Sequence, residues 1–350
     1  MTEPAKTKRN ILVAGATGKQ GRALIAALRP KLLSENEEAE ADFHVLALTR
    51  NPASPTATSL KSEPHVTVVQ GDLDSEASVR KVFDDAGGKG GIWGVFAVLV
   101  FPGLGANADG EERQGELLAN LALEYDVSHF VFSSVERGGE AYDDQLTLDR
   151  LAKVRIERHL KSLGEKGLKW TYVLLPGNSP ILRPSFFMEN FDGTIGKITA
   201  TVLRCGMQPN TKLQLVAVDD VGCATAAVFK NSDDASSKIL VITGDILTAP
   251  EQDAAYLRGT GKHLPAVPNF FGRILLAING ATKGLIADLE RIHKMRQDDP
   301  AGYEAHMADA RAIYPNMTTF EEWARHRKDT EKRDTNWNQV TVGKLVTGSL

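Results

Sequence analysis

Three glycines, Gly15, Gly18 and Gly21, stand three residues apart in "GATGKQG". An apolar run, Ile11–Ala14, precedes them, and an apolar helix pattern follows. The glycines therefore occupy a strand–turn–helix junction. Without a Cβ, the first two let the backbone turn sharply and let a ligand approach it; the third lets the helix pack on the strand. A helix start of this kind offers free N–H groups and a partial positive charge to a pyrophosphate. Gly15, Thr17, Gly18, Lys19, Gln20 and Gly21 are thus assigned to a dinucleotide. A P-loop is excluded, because it needs glycine at position 13 and Ser or Thr at position 20, where this chain has Val13 and Gln20.

The end of the second strand selects the dinucleotide. A carboxylate there would take both ribose hydroxyls and favour NAD. This chain reads Thr49, Arg50, Asn51, with no acid. A guanidinium suits a 2′-phosphate by charge and by its forked geometry, so Arg50 and Asn51 point to NADP(H). Lys19 either adds charge to the same phosphate or is a solvated loop lysine. At the third strand, "VVQGDLD", Asp72 and Leu73 leave the sheet at its ligand edge. Asp72 either accepts from an adenine amino group or caps the helix beginning near Asp74.

The elements that must position these residues are legible as alternation. Strand candidates are Ile11–Ala14, Val45–Thr49, Val66–Val69, Val95–Phe101 and Phe130–Ser133. Most are apolar throughout, as strands covered on both faces are. Amphipathic helices lie between them. "LDSEASVRKVFDDAGG" starts at an acidic cap, and "GEERQGELLANLALEYD" gathers Leu117, Leu118 and Leu121 on one face. "TLDRLAKVRIERHLKSLG" does the same with Leu148, Leu151 and Leu160. The expected fold is α/β, a doubly wound parallel sheet with a smaller C-terminal α/β lobe. The expected division is a flexible N-terminus at 1–9, a cofactor domain at 10–185, a lobe at 186–328 that returns one strand to the main sheet, and a tail at 329–350. In the lobe, "LQLVAV" and "KILVIT" read as strands. "DDVG" reads as a helix start capped by Asp219 or Asp220, and Thr248 and Glu251 have capping-box spacing. "TTFEEWARHRK" reads as a late helix. The acidic "SENEEAEAD" reads as a solvated loop.

Taken in order, "GATGKQG", "LTRNP", "QGDLD", "RQGELLANLA", "HFVFSS", "RPSFFMENF" and "FEEWA" resemble the NmrA-like family of atypical short-chain dehydrogenase/reductases, over most of residues 10 to 325. The resemblance implies a Rossmann domain with a small C-terminal lobe, and NADP as cofactor. It implies one of two activities: a redox-sensing regulator that binds a protein partner such as a transcriptional regulator, or an oxidoreductase acting on a small molecule. It places Arg113 near the phosphates or ribose and Lys153 near the nicotinamide ribose. It sets Phe187, Met188, Glu189 and Asn190 beside the nicotinamide.

Reductases of the wider superfamily carry a tyrosine four residues before the lysine. Here that position is Asp149, and no Tyr-x-x-x-Lys occurs in the segment. An aspartate has a reference pKa of ~3.9, and a lysine one turn away should push it lower, so a plain Asp149–Lys153 pair is the expectation. Ser133 and Ser134 end the fifth strand and can hydrogen-bond a ligand. Lys153 remains the one catalytic candidate, as a base of the kind used by isoflavone-reductase-like relatives. The absent tyrosine favours cofactor binding without turnover; NADPH-dependent reduction of a carbonyl or enone, for example in secondary metabolism, is the alternative.

Two further segments bear on the pocket. Val100, Phe101 and Pro102 make one side of the nicotinamide region apolar. "WTYVLLPGNSPILRPSFFMENF" interposes "VLLPGNSP", so either "YVLL" is the sheet strand and "ILRP" is displaced, or the insert bulges from the strand end. Phe186 and Phe191 read as core.

Composition narrows the rest. Apolar residues make up 42% of 350, charged residues 25%, and the formal net charge is −4, so no overall field attracts nucleic acid or an anionic membrane. Eight histidines lack ligand spacing, and two cysteines supply no disulfide framework, which fits a reducing compartment. "MTEPAKTKRN" has no signal-peptide core. "IWGVFAVLVF" is far shorter than the ~20 residues that span a bilayer. A soluble cytoplasmic protein, with nuclear residence also open, is the expectation.

Overall fold

The computed structural model describes residues 8–30, 32–34, 37–38, 42–103, 106–165, 181–231 and 238–327. The chain begins with β1 (Arg9–Ala14) and α1 (Lys19–Ala27), then a short hairpin of β2 (Leu32–Ser34) and β3 (Glu37–Glu38). Alternation follows: β4 (Phe43–Thr49), α2 (Pro55–Leu60), β5 (Val66–Gln70), α3 (Glu76–Asp85), β6 (Gly94–Ala97), α4 (Asp109–Glu124), β7 (His129–Ser133), α5 (Leu148–Glu165) and β8 (Ile181–Pro184). Next come β9 (Phe186–Phe187), α6 (Gly193–Gly206), β10 (Leu213–Val216), α7 (Val218–Lys230), β11 (Ile239–Ile242) and β12 (Asp245–Leu247). The described chain closes with α8 (Ala249–Thr260), α9 (Asn269–Ile278), α10 (Gly280–Asp298), α11 (Pro300–Ile313) and α12 (Phe320–Arg327).

Seven strands form a sheet in the order β11-β8-β7-β6-β1-β4-β5, and every pair is parallel. The period of two along β1 explains its apolar run. Ile11 and Val13 join one core with Leu24, Ile25 and Phe229, while Leu12 and Ala14 join a second with Phe83, Leu118 and Ile156. A strand buried on both faces has no position left for polar residues. The order reverses at β1, with β4 on one side and β6 on the other, so a crevice opens beyond their carboxyl ends. The fold is thus the doubly wound α/β sheet that the alternation predicts.

A second sheet, β12-β10-β9, belongs to the C-terminal lobe. Its core holds Leu203, Leu215, Leu275, Phe320 and Trp323. The Thr248–Glu251 capping box forms as its spacing predicts. Phe191 is core, while Phe186 is only half-buried against it.

Several expectations need correction. The fourth strand ends at Ala97 rather than Phe101, because Val98 to Phe101 leave the sheet to line the crevice. α3 is capped by the Ser75 hydroxyl, not by an acid. α7 is capped at Ala217, and Asp220 instead turns its buried carboxylate to Thr318, accepting from N at 2.7 Å and from Oγ1 at 2.9 Å. Leu148 is exposed with φ of 52°, not on the inward face of α5. Within the acidic stretch, Ser34 belongs to β2 and Glu37 and Glu38 form β3, so it is not all loop. Ile181–Pro184 is the sheet strand, paired with β7 and β11. "YVLL", the expected tail at 329–350 and residues 1–7 lie outside the described residues.

Candidate functional site

The crevice at the strand reversal is a cavity of about 1340 Å³. Gly15 holds one edge. Its φ is +84°, and a Cβ there would stand 2.3 Å from the Val98 carbonyl oxygen. A Cβ on Gly21 would meet the Gly15 carbonyl oxygen at 2.4 Å. The turn is therefore a cradle that side chains would fill, and α1 starts at Gly18 with no side-chain cap. That combination fits a pyrophosphate on the first turn of α1. Ser133 Oγ donates to Gln20 Oε1 at 2.7 Å, tying the end of β7 to the same turn.

Gly15, Thr17, Gly18, Lys19, Gln20, Ser133, Lys153, Phe187 and Asn190 all line this cavity. Arg50 and Asp72 line a second, smaller one of about 640 Å³. Gly21, Asn51, Leu73 and Arg113 line neither. Arg50 is exposed, and the turn beside it is built locally: Asn51 N donates to Thr49 Oγ1 at 3.2 Å and Ala53 N to Asn51 Oδ1 at 3.0 Å. Asp72 does not cap α3; its carboxylate accepts from Asp74 N at 3.1 Å. Arg113 lies exposed on α4.

Lys19 and Arg50 line different cavities. Lys19 Nζ lies 3.8 Å from Asp192 Oδ2, and Arg327 Nη2 donates to the same oxygen at 2.6 Å. Burial lowers the Lys19 pKa, with Asp192 and Glu189 opposing. Glu189 is buried. Val218 N donates to its Oε2 and Trp323 Nε1 to its Oε1, both at 3.2 Å. Burial pushes this carboxyl up to about 7, against its backbone hydrogen bonds, the one from Val218 N among them, and the charges of Arg327 and Lys19.

Lys153 Nζ donates to Glu111 Oε1 at 2.5 Å, not to Asp149. Glu111 is buried on α4. Asp149 lines the cavity, and its pKa is raised by burial in spite of Arg150 and Lys153. The expected lowering is overturned because desolvation outweighs a lysine whose charge already has a carboxylate beside it.

Behind β7 and β8 lies an ionic core. Arg137 donates to Asp143 Oδ1 at 2.6 Å and to Glu157 Oε1 at 2.8 Å, and Arg183 Nη2 donates to Glu157 Oε2 at 2.7 Å. Burial would raise Glu157, but Arg183 and Arg137 hold it down at about 2. Glu111, Asp192, Arg327 and this network went unrecognised in the sequence, since all of these partnerships but Arg137–Asp143 join residues 20 or more positions apart in the chain.

The far end of the cavity is closed by the lobe. Ile198 and Val202 of α6, Leu213 of β10, and Leu285, Leu289 and Ile292 of α10 face it. Arg150 Nε lies 2.7 Å from Asp288 Oδ2, joining α5 to α10. The site can thus hold a dinucleotide at the turn and an apolar body beyond it.

Comparison with known proteins agrees with this fold. An NmrA-like protein of Dictyostelium discoideum is 24% identical over 69% of this chain and 74% of its own. The NmrA-like oxidoreductase cpsB of Aspergillus campestris is 26% identical over 75% of this chain and 76% of its own. The solved structure of the negative transcriptional regulator NmrA with NADP superposes with a TM-score of 0.64 at 19% identity, covering 94% of this chain and 99% of that one. NmrA has also been solved with NAD. The NADPH-dependent quinone oxidoreductase QOR2 of Escherichia coli, bound to NADPH, gives a TM-score of 0.59 at 19% identity over 90% of this chain and 99% of that one. The NmrA-like family model matches residues 7–324, and the chain belongs to that family.

Proposed function

We propose that this protein binds NADP(H) across the strand reversal and uses it to reduce an apolar small molecule held under the C-terminal lobe. The observation that carries the reading is the reach of the large cavity. Arg50, the residue suited to a 2′-phosphate, lies outside it. The adenosine end with its 2′-phosphate then lies outside, and the nicotinamide half with the pyrophosphate on the glycine turn leaves part of about 1340 Å³ to a second ligand. The residues around that space are mainly aliphatic, as in ligand pockets generally.

NADPH, when bound, supplies a hydride. The residues named here bind and orient it: the glycine turn takes the pyrophosphate, Arg50 and Asn51 the 2′-phosphate, and Asp72 and Leu73 the adenine edge. Lys153 and Ser133 take the nicotinamide ribose, Arg113 approaches the phosphates from α4, and Phe187 and Asn190 flank the ring. Lys153, fixed by Glu111, is a hydrogen-bond donor there rather than a base. Quinones and enones suit a site without the tyrosine, because their reduced anions are delocalised and require no strong acid. QOR2 and cpsB, among the similar proteins, are oxidoreductases.

The test is NADPH oxidation with menadione as acceptor, in wild type and Ile198→Trp. Turnover in the wild type, lost in the variant while NADPH still binds, is the expected result. A wild type that binds NADPH but oxidises it no faster than buffer does, with menadione and other quinones and enones, would overturn the reading.

A second reading has its own support. Lys19, Asp192 and Arg327 connect the glycine turn to α12. Cofactor arriving at the turn competes with Asp192 for Lys19, and a protein partner that contacts α12 can sense it. This is the regulator reading, in line with NmrA. It requires partner affinity to differ between the empty, oxidised and reduced states.

A further inference from the structure

The apolar helix α9, "NFFGRILLAI", keeps only Gly272 and Leu275 buried. Phe270 is 55% exposed, Phe271 49%, Ile274 50% and Ile278 61%. Phe270, Ile274 and Ile278 recur every four residues and form one stripe, with Phe271 beside it and its ring centroid 4.0 Å from that of Phe270. Half of the large apolar side chains exposed among the described residues lie on these ten positions. An isolated exposed leucine means little, but a contiguous patch marks a contact surface.

Charge indicates what makes the contact. The whole chain is acidic, yet residues 254 to 287 contain no Asp or Glu. Lys262, Arg273 and Lys283 in that stretch are exposed, as are Lys197 and Arg204 on α6 alongside. The acids nearest along the chain are engaged: Asp253 with His263 and Asp288 with Arg150. An exposed apolar stripe with a cationic surround is the pattern of a helix lying in the headgroup region of anionic lipid.

Length excludes a span by α9 alone. Ten residues extend ~15 Å, about half the hydrocarbon thickness of a bilayer. No single described helix is long and apolar enough to cross a membrane, and α10 turns away from α9 by 101°. The helix can lie along the surface but not span it.

The stripe also meets the cavity. Ile278 is both its last residue and part of the cavity lining, next to Gly280, Ala281 and Leu285. Leu148 and Val100 are likewise both exposed and part of the lining of the same cavity. We propose that α9 seats the protein on an anionic lipid surface and that the cavity opens at that surface, so that an apolar ligand passes between bilayer and pocket without crossing water. The proposal does not depend on which cofactor the glycine turn holds.

The experiment is co-sedimentation of the full chain with vesicles of phosphatidylcholine, alone or mixed with phosphatidylglycerol, for wild type, Phe270→Ser/Ile274→Ser and Arg273→Glu/Lys283→Glu. None of these four positions lines either cavity, and thermal melts with an NADPH titration confirm that each variant is folded. The wild type is expected to pellet with the phosphatidylglycerol vesicles and to be released by salt. The apolar variant should stay in the supernatant, and the charge variant should lose the preference for anionic lipid. A wild type that stays in solution with both vesicles overturns the proposal, as does an apolar variant that binds like the wild type. So does a dimer, seen by light scattering, that the apolar substitutions dissociate when no vesicle binding is detected, since the stripe would then belong to a second copy. Loss of NADPH binding in all proteins would instead count against the function proposed above and leave the vesicle result unaffected.

Discussion

The Lys153 ammonium and the Glu111 carboxylate meet at 2.5 Å across two helices, 42 residues apart in sequence. Lys153 reaches this pairing from the cavity wall, while Glu111 is almost fully buried. A buried carboxylate is tolerated when a cation faces it and becomes costly when that cation is removed. Glu111→Gln and Lys153→Met should therefore each destabilise the protein, and the double variant should be less destabilised than the sum. The coupling expected from urea unfolding of the four proteins is about 1–3 kcal/mol. Additive single effects would show that the pair contributes nothing.

Arg50 is expected to separate the two nicotinamide cofactors. A charge-assisted hydrogen bond contributes ~1.5–3 kcal/mol, so Arg50→Ala should weaken NADP+ and NADPH by roughly 10- to 100-fold. NAD+ and NADH should change little, because neither carries the 2′-phosphate. Calorimetric titration of all four measures this directly. An equal loss for all four would mean that Arg50 serves the turn and not the phosphate.

What was legible in the sequence was what is local. β1, the glycine turn and α1 are contiguous, and their residue types follow from burial on two faces and from the crowding of Gly15 against Val98. The Thr248 box lies within four residues and was equally plain. The end of the fourth strand was not, because Val98 to Phe101 are as apolar as strand residues and only the cavity explains why they leave the sheet. The Asp149–Lys153 pair was inferred from one-turn spacing, and a long-range carboxylate displaced it. Net charge concealed α9, since an average over 350 residues carries no trace of a stretch that lacks acids.

Glu157 should shape the acid limb of stability. Its folded pKa of about 2 is below the ordinary 4.5, so its contribution is present above 4.5 and is lost as pH falls through about 2. Glu157→Gln leaves Arg137 and Arg183 buried beside a neutral amide and should cost about 3–5 kcal/mol at neutral pH. The loss should shrink towards low pH, where the wild-type carboxylate is protonated as well. Melting temperature against pH, compared between the two proteins, tests this. A constant offset at all pH values would contradict the ionic core.

Glu189 acts with the opposite sign. Its folded pKa of about 7 is above the ordinary 4.5, so its contribution is full below 4.5 and is lost as pH rises through about 7. Around it stand Val218 N at the start of α7, Trp323 and Arg327 from α12, Asp192 from the start of α6, and Lys19 from the glycine turn. A pyrophosphate on that turn brings negative charge towards the carboxyl and favours its protonated form. Cofactor binding near neutral pH should therefore take up a fraction of a proton and weaken as pH rises through about 7. Calorimetry of NADPH binding in buffers of different ionisation enthalpy detects that uptake. Glu189→Gln should abolish it, since the amide cannot titrate, although its single oxygen can accept from only one of the two donors, Val218 N and Trp323 Nε1. Uptake of the same size in the variant would assign the proton to another group and sever Glu189 from the turn.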